Sequence, residues 1–197
     1  MAESWELSTH KDGESVIRDG EYMGMSLSSF VAQDKENILG KNASKFEFFP
    51  ILIKFIDALD SLSIQVHPSD EYALTNEKEY GKTEMWYILD CEEDAFLYYG
   101  FNREITKEEF RKRLNDNTIL DVLNKVYVKK GDVFFINAGT VHAIGKGIMI
   151  CEIQQNSNTT YRVYDYNRKD KFGNLRDLHI DKAIDVSYLS PCEPYKQ

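Results

Sequence analysis

The stretch Leu62-Ser-Ile-Gln65-Val-His67-Pro-Ser-Asp70 decides how the chain is read, together with Gly81-Lys-Thr-Glu84-Met-Trp86 and Gly139-Thr-Val-His142. Within Ser-Ile-Gln-Val-His the residues alternate with the period of a β-strand, so Gln65 and His67 share one face while Ile64 and Val66 share the other. Glu84 opens a second strand-like run, Met85 to Leu89. His142 follows a third, Val133 to Ile136, after a short turn that contains Gly139. Three strands thus bring an amide, a carboxylate and two imidazoles toward one point. Neutral imidazole, carboxylate and amide oxygen suit a divalent transition ion: Zn²⁺, and equally Fe²⁺, Mn²⁺, Co²⁺ or Ni²⁺. The ligand types do not choose among them, but a mixed N/O set without thiolates is the kind that keeps a position open for water or substrate.

Around this centre, 197 residues fit one sizeable domain, residues 1–197, with 13% aromatic residues favouring a β-rich globule. A net charge of -9 argues against nucleic acid or an anionic membrane surface, both of which select clustered Lys and Arg. Cys91, Cys151 and Cys192 lack metal-ligand spacing and read as reduced thiols, the first and second as core residues. No apolar run reaches membrane-spanning length, and the start shows no signal-peptide pattern, so the expected location is cytoplasmic.

Along the chain, Ser15 to Arg18 reads as a strand and Ser26 to Val31 as a short helix. Residues 33–45 read as a polar loop, and Glu47 to Asp57 as a strongly apolar strand region. His10 reads as a surface histidine near a turn. A helical insertion is expected near 69–79, N-capped by Ser69, with Tyr72, Ala73 and Leu74 facing inward. A second insertion, near 106–124, opens with the capping box Thr106-Lys-Glu-Glu109 and turns Phe110 and Leu114 to one side. Met85–Leu89 and Ala95–Phe101 read as adjacent strands joined by the acidic turn 90–94. Val126–Val128, Val133–Ile136, Gly147–Gln155 and Tyr161–Asp165 complete the strands, a C-terminal helix is expected near 178–184, and the tail from Pro191 reads as loose. His179 reads as a helix-surface or capping residue.

The run from Gly131 through Asn137-Ala-Gly139-Thr-Val-His142 resembles the second metal motif of the cupins, with Asn137 where that motif usually has Pro and Lys146 where it ends in Asn. The fold this implies is mainly β: a double-stranded β-helix, or jelly-roll barrel, with helical insertions. Four blocks taken in order sharpen the likeness: Ser63 to Tyr72, Gly81 to Tyr87, Gly139 to Ala143, and Glu152-Ile-Gln-Gln-Asn-Ser-Asn-Thr-Thr-Tyr-Arg-Val-Tyr-Asp165. Together they resemble the type I mannose-6-phosphate isomerases, in particular the short bacterial branch, over nearly the whole chain.

That resemblance implies an aldose-ketose isomerase interconverting mannose 6-phosphate and fructose 6-phosphate through an enediolate. It implies one Zn²⁺ per chain, on Gln65, His67, Glu84 and His142, with Arg162 at the position of the family's catalytic arginine and Lys82 at that of a lysine beside the metal-binding glutamate. It also implies a Trp-Gly-Gly segment before Glu3–Glu6 and a second, smaller cupin domain after residue 197, neither of which the sequence contains. Sheet edges left uncovered by that difference suggest a homodimer. Arg162 is expected to stabilise the enediolate or the phosphate. Lys82 is expected to carry a proton if burial and a metal lower its pKa, and the base is either Lys82 or a metal-bound hydroxide. The rival reading is a non-catalytic metal-containing cupin that binds a sugar or sugar phosphate as a sensor or accessory protein. Each residue also has a bland role: His67 as a core histidine, Glu84 as a solvent-facing acid, Arg162 paired with Asp165 or Glu152. Asn156, Asn158 and Thr160 are read as serving barrel turns.

Overall fold

The computed structural model describes residues 2–46, 48–193 and 195–196, with Ser44 and the last two described by backbone alone. In chain order the elements are β1 (Ala2–Leu7), α1 (Leu27–Gln33), α2 (Lys35–Leu39), β2 (Ile51–Ala58), β3 (Ile64–Val66), α3 (Asp70–Asn76), β4 (Glu84–Cys91) and β5 (Phe96–Phe101). After these come α4 (Lys107–Asn115), β6 (Leu123–Tyr127), β7 (Val133–Ile136), β8 (His142–Ile144), β9 (Ile148–Gln155), β10 (Tyr161–Tyr164), α5 (Ile180–Val186) and β11 (Tyr195–Lys196).

Two antiparallel sheets face each other, one ordered β1-β2-β9-β4-β7-β11 and the other β10-β3-β8-β5-β6. Consecutive strands repeatedly cross between the sheets, which is the wiring of a cupin-type double-stranded β-helix. The inner core lies between the sheets and contains Trp86, Leu97, Phe134, Ile136, Ile144, Ile148 and Ile150. A separate outer core lies on the far side of the five-stranded sheet, where Ile64, Val66, Val141 and Val163 pack against Phe110 of α4 and Ala183 and Ile184 of α5.

The helices start where side chains can satisfy free backbone N–H groups. Ser69 Oγ accepts from Tyr72 N at the start of α3, and Thr106 Oγ1 accepts from Glu109 N at the start of α4. Phe110 and Leu114, one turn apart, are the residues α4 buries. Ala73 of α3 is buried as expected, but Leu74 is half exposed.

Several sequence expectations are revised. Ser15–Arg18 forms only an isolated bridge, Val16 with Ser26. The stretch 33–45 carries α2 and a 3₁₀ turn over Lys41–Lys45. The apolar strand begins at Ile51, after Pro50, and Glu47 lies outside the described residues. β1 was not anticipated, because Ala-Glu-Ser-Trp-Glu-Leu on an exposed sheet edge carries little apolar signal. β4 and β5, although joined by a short acidic turn, belong to different sheets, and so do β6 and β7. The tail is pinned: Pro191 bridges Phe101, and β11 pairs with β7, while Pro194 and Gln197 lie outside the described residues. The three cysteines are free thiols, with Cys151 half-buried on the outer side of β9 rather than in the core.

Candidate metal centre and cavity

Inward-facing residues come in rows across the larger sheet, because the strands pair in register. One row runs Leu52, Gln154, Glu84, Ile136, and the next Lys54, Glu152, Trp86, Phe134. The facing sheet offers Arg162, Gln65, His142 and Tyr99 side by side on β10, β3, β8 and β5. Glu84 from one sheet and His142 from the other therefore meet across the barrel.

Two glycines close the remaining gaps. Sixteen residues separate His67 from Glu84, and the loop returns by laying Gly81 against the first turn of α3, where an added Cβ would sit 2.4 Å from Asp70 N. Lys82 N then donates to Pro68 O at 3.0 Å and Gly81 N to Asp70 Oδ1 at 2.8 Å. Gly139, at φ +86°, donates its N–H to His67 O at 2.8 Å, and a side chain there would strike Tyr188 and Val186 O.

The result is a buried cluster of His67, Glu84 and His142, whose ligand atoms all lie within 4.8 Å of one another. His67 Nε2 is 3.2 Å from Glu84 Oε1, and His142 Nε2 is 3.6 Å from Glu84 Oε2. A tetrahedral ion with ligands about 2 Å away sets neighbouring ligand atoms about 3.3 Å apart. Each ring donates its Nδ1–H to a backbone carbonyl, His67 to Thr159 O at 3.0 Å and His142 to Thr140 O at 2.8 Å, which leaves both Nε2 lone pairs facing inward. His67 Nε2 and both Glu84 carboxylate oxygens are buried, and while Glu84 Oε1 is paired with Lys82, His67 Nε2 and Glu84 Oε2 have no hydrogen-bond partner. Buried polar atoms are costly to leave unmatched, and a divalent cation would satisfy both. The residues fit a metal.

The ionisation states agree with that use. Burial, with the nearby Lys82 charge, pushes His67 down to about 3, and burial lowers His142 as well, so both rings are neutral. Burial opposes the charged form of Glu84, yet Lys82 and the two rings hold it well below the usual carboxylate range. Gln65 sits beside the cluster, with its side-chain amide 3.4 Å from His142 Nε2.

A cavity of about 600 Å³ opens next to the cluster, and Gln65 and Lys82 line it. Lys82 Nζ lies 3.0 Å from Glu84 Oε1. Burial works to lower its pKa, but Glu84, Glu152 and Glu3 together raise it, so on the protein's own charges Lys82 is held as a cation. Arg162 lines the cavity from the other wall, with Nε donating to Ser63 Oγ at 3.2 Å and a terminal nitrogen to Asp177 O at 3.1 Å. Neither Asp165 nor Glu152 is its hydrogen-bond partner. Arg162 N donates to His179 Nδ1 at 3.2 Å, so His179, which occupies the capping position expected for it at the head of α5, also supports the backbone of β10.

Sequence reasoning missed Lys54 and Glu152. Both are buried, both line the cavity, and they form an ion pair at 3.5 Å. Glu152 also accepts from Trp86 Nε1 at 2.9 Å, and burial pushes its carboxyl up to about 7. The mouth of the cavity carries Arg168, Lys169 and Arg176, with Arg168 paired to Asp165. Asn158 and Thr160 line it too, whereas Asn156 ties down Thr9 and Phe49.

Residues 1–95 match the family model for the catalytic domain of type I phosphomannose isomerase. Mannose-6-phosphate isomerase ManA of Bacillus subtilis is 48% identical over 93% of this chain, and a mannose-6-phosphate isomerase of Streptococcus mutans is equally similar over the same share. The chain is similar to the type I phosphomannose isomerases over most of its length. It spans 58% and 57% of the length of those two curated relatives. Among solved structures, the mannose 6-phosphate isomerase of Bacillus subtilis superposes with a TM-score of 0.90 at 38% identity, over 98% of this chain and 60% of that one. A putative mannosephosphate isomerase of Archaeoglobus fulgidus gives 0.79 at 28% identity, over 97% of this chain and 59% of that one. No helix among the described residues is long and apolar enough to cross a membrane.

Proposed function

We propose that this chain is a metal-dependent aldose-ketose isomerase that interconverts mannose 6-phosphate and fructose 6-phosphate. The observation that carries the reading is the buried set of ligand atoms on His67, Glu84 and His142, with His67 Nε2 and Glu84 Oε2 lacking a hydrogen-bond partner, at the side of a cavity walled by Lys82 and Arg162. The similarity to relatives named mannose-6-phosphate isomerase supports this choice of substrate.

The reaction moves a proton between C1 and C2 of the sugar through an enediolate. A bound ion, proposed as one Zn²⁺ per chain on His67, Glu84, His142 and Gln65, supplies Lewis acidity toward the developing negative charge on the sugar oxygens. Lys82 adds a fixed ammonium beside it, in a pocket where low dielectric strengthens every charge. Arg162 holds a second cation across the cavity, fixed by Ser63 and Asp177, and serves charge stabilisation rather than proton transfer. Glu152, with its carboxyl near neutrality, is the group suited to hold or release a proton at working pH. Arg168, Lys169 and Arg176 at the mouth offer positive charge to a phosphate dianion.

The test is a coupled isomerase assay on the purified chain with metal analysis of the same sample. The expected result is about one ion per chain, turnover of both hexose phosphates, and loss of turnover on chelation. Full activity in metal-free protein overturns the reading. Metal and sugar-phosphate binding without turnover overturns it in favour of the non-catalytic cupin.

A further inference from the structure

The two imidazoles of the cluster are oriented by carbonyls of different kinds. His142 uses Thr140 O, two residues away in its own turn. His67 uses Thr159 O, which belongs to the loop 156–160 between β9 and β10 and is far away in sequence. A loop carbonyl orients a ring only as well as the loop itself is held.

That loop is tied to the N-terminal turn that follows β1. Asn156 Nδ2 donates to Thr9 Oγ1 at 2.9 Å, Asn158 Nδ2 to Asp12 Oδ2 at 3.2 Å, and Thr159 Oγ1 to Glu79 Oε2 at 3.2 Å. Glu79 is itself paired with the turn through Lys11, whose Nζ is 3.1 Å from its other oxygen, with His10 Nε2 nearby at 3.7 Å. The turn is well built. His10 is buried, contrary to the surface position expected for it, and lies at the edge of the Trp5 ring with centroids 5.8 Å apart. Gly13 N closes the turn on His10 O at 3.1 Å, and a Cβ at Gly13 would lie 2.7 Å from the Trp5 ring.

We infer that Glu79, paired with Lys11, is a positioning residue for the metal ligand His67 and acts through Thr159. The inference rests on the metal reading above. The chain of contacts runs from the N-terminal turn to Glu79, to the Thr159 hydroxyl, and through the same residue's carbonyl to His67 Nδ1. Outer partners of a metal-bound imidazole set its orientation and basicity, so loosening this brace weakens metal binding even though no ligand is removed.

The test measures metal affinity by competition with a chromophoric chelator, using Zn²⁺ and Co²⁺ on the full chain. The variants are Glu79→Ala, Glu79→Gln and Thr159→Val, with Phe110→Leu in the outer core as a stability control. Glu79→Ala and Thr159→Val are expected to bind the ion about tenfold more weakly, the low end of the effect of losing an outer partner. Glu79→Gln keeps an oxygen acceptor and is expected to stay near wild type. Phe110→Leu is expected to lower the melting temperature without moving metal affinity. Should Glu79→Ala fail to fold, Thr159→Val removes a single hydroxyl and decides alone. Wild-type affinity in Thr159→Val overturns the inference, as does equal weakening in Phe110→Leu, which would mark general loosening. A wild-type chain that binds no ion overturns the metal reading, and this inference with it.

Discussion

The inside of the barrel has two halves built by the same strands. At one end, inward positions on β2, β9 and β4 carry Lys54, Glu152 and Glu84, facing His142 and Gln65. Farther along those strands the inward positions are Ile56, Ile150 and Ile88, which pair directly across the sheet. The apolar half leaves water at roughly 25 cal/mol per Å² buried and stabilises the fold. The charged half buries ions and unpartnered polar atoms, each costly unless matched. One half holds the barrel together, while the other gives up stability to gather charged and polar groups that a cation would match.

The largest effect expected from this contrast is on His142. His142→Ala should abolish metal binding and lower isomerase turnover by on the order of 10³-fold, the scale of losing a preorganised electrostatic group. Wild-type protein should gain about 3 kcal/mol of stability at a hundredfold excess of metal over its dissociation constant, and the variant none. Denaturant titrations with and without metal check this. Metal-dependent stabilisation that survives in His142→Ala breaks the comparison.

The apolar half should behave oppositely. Ile150→Ala removes a fully buried side chain and should cost about 2 to 5 kcal/mol in unfolding free energy. Metal affinity of the folded fraction should not move. A variant of normal stability would mean that this half is not what holds the barrel together.

Glu152 stands between these extremes. Its carboxyl is raised to about 7 from an ordinary 4.5 by burial and by Glu84, against Lys82, Lys54 and the Trp86 N–H. Between those two values the folded chain binds more protons than the unfolded one. The associated stability is therefore fully present below pH 4.5 and is lost as pH rises through about 7. In metal-free protein the loss is expected to reach on the order of 2 to 3 kcal/mol. Glu152→Gln should lack it, so the stability difference between variant and wild type should widen from pH 5 to about 8 in denaturant melts. A constant difference would show that Glu152 is charged throughout.

What the sequence made legible follows from these same halves. Gln65 and His67 were readable because polar residues alternate there with Ile64 and Val66, and both turn inward while the apolar pair packs under α4 and α5. The caps at Ser69 and Thr106 announced their helices through a local interaction. Lys54 and Glu152 were hidden because their outward neighbours, Ile53 and Phe55 or Cys151 and Ile153, are apolar too, so alternation did not say which face was inside. β8 is three residues long, too short for periodicity to register. The cations at the cavity mouth reach it through loop tertiary structure. The sheet assignment of β4 and β5 is likewise a matter of long-range pairing, to which a short turn between them is no guide.

Tyr99 offers the smallest and most discriminating test, because it lies beside His142 across the strand pair yet belongs to the apolar core. Its hydroxyl donates to Phe135 O at 2.7 Å, linking the two sheets, so this polar group in the apolar half is satisfied by backbone. Tyr99→Phe deletes the hydrogen bond to Phe135 O and should cost about 1 kcal/mol. It should leave metal affinity and turnover unchanged, since neither the cluster nor the cavity wall uses that oxygen. If the variant instead lost metal while keeping its stability, the boundary between the two halves would lie at least one residue deeper along β5, and Tyr99 would belong with His142 on the side that does the chemistry.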